Sequence, residues 1–172
     1  LTLVLGVTMP AAAFAPPSLE RLAFLLGTWE TFGGGTPGEA TGRATFALNL
    51  EDRIMTRRSY AIYPATGTTP ASRHDDFMVI YATAGAGMRA DYYDSEGHVI
   101  QYVVTVRAPG EATFVSDVAS AAPRYRLTYT LGSDGVLKGA FAVAPPGKQD
   151  AFAQYLAWES RKAKTAGSGK RE

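Results

Sequence analysis

A chain of 172 residues with 46% hydrophobic and 11% aromatic content is long enough for one domain with its own core, and those fractions exclude a disordered chain. A formal net charge of +1 gives no general drive toward nucleic acid. Cysteine is absent, which removes disulfides, thiolate nucleophiles and Cys-ligated zinc; the two histidines, His74 and His98, leave little for a His-based metal site.

Leu1 to Val7 is an uncharged apolar run, broken at Pro10 and followed by Ala11-Ala12-Ala13. It reads as an export signal peptide truncated at its start and cleaved after Ala13, too short to span a bilayer. The protein is then expected to be periplasmic or secreted, with residues 14–161 as its domain and 162–172 as a disordered basic tail. Residues 161–172 hold five Lys/Arg and one Glu.

Ser18 suits an N-cap for a short helix over 19–26, with Leu19, Leu22 and Leu26 forming its apolar stripe. Gly27 suits the residue just past its end. Strand signals then recur to the end of the chain. Expected strands cover 28–32, 41–50, 53–63, 77–83, 88–93, 98–107, 112–118, 124–131, 136–143 and 152–158, with turns rich in Gly, Pro or Asp between them. The segment 64–73 reads as the longest loop. Ile54, Tyr60 and Ile62 share one register of their strand. Ile100, Tyr102, Val104 and Val106 share another, as do Tyr125, Leu127, Tyr129 and Leu131. About ten sequential strands must hide their edges, and closure into an antiparallel up-and-down β-barrel does so. A two-sheet β-sandwich is the alternative architecture. A barrel of this size has room for a ligand inside.

Leu25-Leu26-Gly27-Thr28-Trp29-Glu30 resembles the opening segment of lipocalin-like domains of the calycin superfamily, in particular uncharacterised bacterial families that begin Leu-Leu-Gly-x-Trp. Tyr92-Tyr93-Asp94 with Gly97, and Arg126-Leu127-Thr128-Tyr129, are similar to recurring segments of the same families. The resemblance spans roughly residues 19–160 and implies an antiparallel barrel, open at one end, with a short helix beneath. It extends distantly to the haem-binding nitrobindins. There Thr31 stands where a glycine is expected and no histidine follows His98, so haem is disfavoured and no cofactor is expected.

The expected ligand-binding set is Trp29, Arg58, Tyr60, Tyr81, Asp91, Tyr93, Tyr102, Arg126 and Tyr129. Trp29 and Trp158 fill the closed end, or one of them lines the cavity. Among Arg57, Arg58, Arg124 and Arg126, any that faces inward must be paired, and it can receive a ligand carboxylate in a bidentate fork. The tyrosines offer apolar bodies with polar tips. His74-Asp75-Asp76 offers oxygen and nitrogen donors but reads as a solvated stretch where a loop meets a strand, so no metal is expected. His98 can serve as an acid or base only with a partner. No nucleophile elbow, phosphate loop or zinc signature is present, and no catalytic residue is assigned. The reading is a monomeric or homodimeric barrel holding a small hydrophobic or amphipathic molecule, without stable membrane insertion. An isomerase or hydrolase acting on a lipid-like substrate is the alternative, and would place His98 or Asp91 in the lumen. A structural or interaction module with a filled core is the third.

Overall fold

The leucine-rich segment does form a helix, but a tighter one than its spacing suggests. In the computed structural model, which describes residues 19–33, 40–85, 87–119 and 121–164, Leu19–Leu25 is a 3-10 helix. With three residues per turn, the buried side chains fall at Leu19, Leu22 and Leu25 rather than at Leu26. The proposed leader, the Ser18 cap, most of the 33–38 turn and the end of the basic tail lie outside the described residues.

Ten strands follow: β1 (Gly27–Gly33), β2 (Thr41–Asn49), β3 (Ile54–Tyr63), β4 (Ser72–Thr83), β5 (Gly87–Asp94), β6 (Val99–Ala108), β7 (Glu111–Ser116), β8 (Arg124–Leu131), β9 (Leu137–Ala144) and β10 (Ala153–Lys162). Each pairs antiparallel with its sequence neighbours, and β1 pairs with β10 to close the barrel. The sandwich alternative is thereby set aside. Closure satisfies the backbone groups that an open sheet would leave at its edges. Among the described residues, no helix is long and apolar enough to cross a membrane.

Two boundaries differ from expectation by four residues or more. β4 begins at Ser72, five residues before the expected Phe77, because Ser72 to Asp76 pair with Tyr63 to Ser59 of β3. His74, Asp75 and Asp76 therefore lie on a strand, and their side chains alternate between the two faces. β10 runs on to Lys162, whose ammonium sits 5.3 Å from the Trp29 ring.

The 3-10 helix lies at one end of the barrel. Leu22, Leu25, Trp29, Phe46, Met55, Ile80, Met88, Val104 and Phe114 are buried in a continuous core there. The indole N–H of Trp29 donates to the Leu25 carbonyl at 2.7 Å, tying helix to strand. Arg21 donates to the Val106 carbonyl on the far side of the same end.

The β2–β3 turn carries backbone strain. Leu50, Glu51 and Asp52 have φ of 51°, 54° and 62°, a left-handed run that costs L-residues about 1–2 kcal/mol apiece. Leu50, expected to end the strand over 41–50, is instead 71% exposed at this turn. Glu51→Gly relieves one such residue. After the entropy glycine loses on folding, it is expected to raise stability by roughly 0.5–1 kcal/mol in urea unfolding. No gain would mean that the turn is relaxed.

Candidate functional site

Opposite the helix the barrel is open, and a cavity of about 480 Å³ runs inward from that end. Strand alternation decides what lines it. On β3, Met55, Arg57, Ser59, Ala61 and Tyr63 face in, leaving Arg58 exposed. On β4 the inward set is His74, Asp76, Met78 and Ile80; on β5 it includes Tyr92 and Asp94. Tyr102, Tyr125, Leu127, Tyr129, Phe141 and Trp158 complete the walls from β6, β8, β9 and β10.

The floor is ionised. Arg57 and Asp76 form an ion pair with side chains only 7% and 5% exposed. Nε and Nη2 of Arg57 both donate to Asp76 Oδ1, and Nη1 donates to the Tyr129 hydroxyl across the barrel. The guanidinium also lies 5.9 Å from the Tyr92 ring. Burial alone would disfavour its charge, but Asp76 and Tyr129 outweigh that and hold the Arg57 pKa above its ordinary value.

Toward the mouth the network continues through both histidines of the chain. His74 Nδ1 meets Glu96 Oε2 at 2.7 Å, while its Nε2 lies 3.1 Å from the Tyr92 hydroxyl and 3.7 Å from Asp76 Oδ2. Asp94 Oδ2 accepts from the Tyr92 hydroxyl at 3.3 Å and lies 2.8 Å from His98 Nδ1, while its Oδ1 accepts from the backbone N–H of His98 at 2.8 Å. Burial pushes the Asp94 carboxyl up, but the His98 backbone and side chain more than offset this, and the net shift is downward. His74, Asp94 and Glu96 each offer one donor atom, and the three atoms lie within 4.8 Å of one another. One imidazole with two carboxylates is a donor set compatible with zinc or manganese. In the sequence His74 belongs to a stretch that reads as solvated; its convergence with Asp94 and Glu96 follows only from the pairing of β4 with β5.

Three phenols in the lumen are shifted strongly. Tyr92 is raised by burial and then by Asp76, with Arg57 opposing; Tyr102 and Tyr129 are raised by burial, again against Arg57. An ordinary phenol ionises near pH ~10. The unfolded chain therefore gives up protons that the folded chain keeps. The stability contributed by these groups is intact below about pH 10 and is lost as pH climbs through the raised folded values. Ultraviolet titration is expected to show Tyr92, Tyr102 and Tyr129 ionising only as the circular dichroism of the barrel is lost. Reversible ionisation of all three in folded protein would contradict the burial.

The expected ligand set divides between the two faces. Tyr102 and Tyr129 are in the lumen, linked edge-on through Phe114 at centroid distances of 6.3 and 6.1 Å. Trp29 faces inward but lies below the cavity, in the core under its floor. Arg58, Tyr81, Asp91, Tyr93 and Arg126 alternate to the outer wall, which corrects their expected lumenal position; Tyr60 shares the outward register of Arg58 but still borders the cavity. There Arg58 covers Phe77 at 5.0 Å, Arg73 covers Tyr60 at 4.3 Å, and Arg126 covers Phe152 at 4.5 Å. Tyr81 donates to Asp91 at 3.2 Å, on the same outer surface. His98 stands exposed at the rim, and Trp158 lines the cavity against Tyr129.

No protein-family model and no curated protein sequence matches this chain, so its function is read from the cavity itself.

Proposed function

We propose that this protein is a lipocalin-like, exported carrier that holds a small amphipathic molecule in the lumen of its barrel. One observation carries the reading: a half-open cavity of about 480 Å³ with aromatic walls and a fixed polar floor. Ligand sites of about 300–1,000 Å³ combine largely apolar walls with a few placed polar groups. The Tyr125 and Phe141 rings, stacked at 5.8 Å, offer the apolar wall; Arg57, Asp76 and Tyr92 offer the polar groups. Hydrogen-bonded closure of the ten strands into a cylinder fixes the walls, so the site is largely preformed and the cost of ordering it on binding is small.

Native mass spectrometry of protein purified from its host is expected to show a retained small molecule. A hydrophobic fluorescent probe is expected to bind with micromolar affinity. Ala61→Trp, which places a bulky ring among the lumen-lining residues of β3, is expected to weaken that binding about tenfold or more, a loss of ~1.4 kcal/mol. Uptake unchanged by Ala61→Trp would place the probe on the outer surface and count against the lumen.

A further inference from the structure

We propose that the lumen selects a cationic amphiphile, an organic ammonium with an apolar body, over neutral or anionic molecules of the same shape; this rests on the lumen-binding reading above.

The arginines near the cavity are already paired. One arginine stands in the lumen and two more reach its rim from the outer wall, and each has its own carboxylate: Arg57 with Asp76, Arg73 with Asp75 at 2.7 Å, and Arg43 with Glu30 at 2.5 Å. The planar edge of Arg57 that would grip a ligand carboxylate, Nε with Nη2, is occupied by Asp76. A bound anion would have to displace a buried carboxylate to reach it.

Two carboxylates at the mouth are left over. Asp94 and Glu96 have no Lys or Arg in ion-pair contact among the described residues; their charged-group neighbours are His98 and His74. The mouth thus carries two carboxylates beyond those its arginines balance. Tyr63 registers the same field, since its phenol is raised by burial, then by Tyr155, Glu96 and Asp76. Beside these carboxylates stand the rings of Tyr63, Tyr92 and Tyr155, whose faces attract a cation and repel an anion. An ammonium at the mouth therefore meets attraction from both kinds of group, with its apolar body directed down the aromatic walls.

The test uses the full chain and three probes with one dodecyl tail: dodecyltrimethylammonium, dodecanol and dodecanoate, each titrated calorimetrically below its micelle concentration at neutral pH. The ammonium is expected to bind at least about tenfold more tightly than the carboxylate, with the alcohol between them. Asp94→Asn with Glu96→Gln is expected to bring the ammonium-to-carboxylate ratio close to one, whereas Asp117→Asn, which removes a carboxylate paired with Arg89 away from the cavity, leaves the ratio as it was. Should the double variant misfold, Glu96→Gln alone carries the test, because that side chain is half exposed and is expected to reduce the ratio in the same direction. Binding of all three probes with equal affinity overturns the charge selection and leaves the lumen reading standing. Failure of all three to bind removes both.

Discussion

Asp76→Ala is expected to lower the free energy of unfolding by about 3–5 kcal/mol, the largest effect of any single carboxylate among the described residues. The substitution leaves the buried Arg57 guanidinium with the Tyr129 hydroxyl and the Tyr92 ring, and no counter-charge. Its neighbour provides the contrast. Asp75 pairs with Arg73 on the outer wall with both side chains half exposed, and Asp75→Ala is expected to change stability little. Removing both members of the buried pair tests the cause. Arg57→Met with Asp76→Leu leaves no orphan charge, and is expected to recover most of the loss even though two ionic groups have gone. Urea unfolding followed by circular dichroism measures all three. A loss below about 1 kcal/mol for Asp76→Ala would mean that water already solvates the pair and that the floor is wetter than its burial indicates.

The same pair explains why the barrel was legible in the sequence and its lumen was not. Turn residues and strand spacing place ten strands within a few residues of their positions, because Gly, Pro and Asp act locally. Face assignment on β6 and β8 also follows from the sequence. Tyr102, Val104, Val106, Leu127 and Tyr129 face a core, and there the apolar register is the inner one. On β3 the rule inverts. Ile54, Tyr60 and Ile62 form the more apolar register and face outward, while Met55, Arg57, Ser59 and Ala61 face in. Hydrophobic alternation finds the buried face only where the buried face is apolar. A lumen with an ionised floor breaks that premise, so Arg58 and Tyr60 were expected where Arg57 and Ser59 stand. The outer aromatics also mislead. They are not core residues but the undersides of arginines, as with Phe77 beneath Arg58. A signal was nonetheless present. Polar groups recur with period two at Arg57 and Ser59, at His74 and Asp76, and at Tyr92 and Asp94, on three consecutive strands that must be neighbours in an up-and-down barrel. Convergence of Glu96 and His98 on the same mouth depends on the β5–β6 turn, whose course the sequence does not specify.

Trp29→Ala is expected to cost about 3–5 kcal/mol, and the smaller change Trp29→Phe about 1–2 kcal/mol. The indole is 2% exposed, donates to the Leu25 carbonyl and anchors the 3-10 helix that covers the closed end, so its loss leaves both a void and an unmet carbonyl. The functional consequence separates the two tryptophans of the chain. Trp29 is outside the cavity lining, whereas Trp158 is part of it, pressed so closely on Gly139 that an added Cβ there would fall 2.1 Å from its ring. Trp29→Phe is therefore expected to lower the urea midpoint while leaving probe affinity at its native value. Trp158→Phe is expected to alter affinity, because a smaller ring changes the wall the ligand touches and frees space over Gly139. Tightly coupled losses of stability and affinity in Trp29→Phe would show that the closed end and the lumen act as one unit. Weakened binding at unchanged stability would place Trp29 in the ligand site, and the floor of the cavity would have to be drawn one layer deeper.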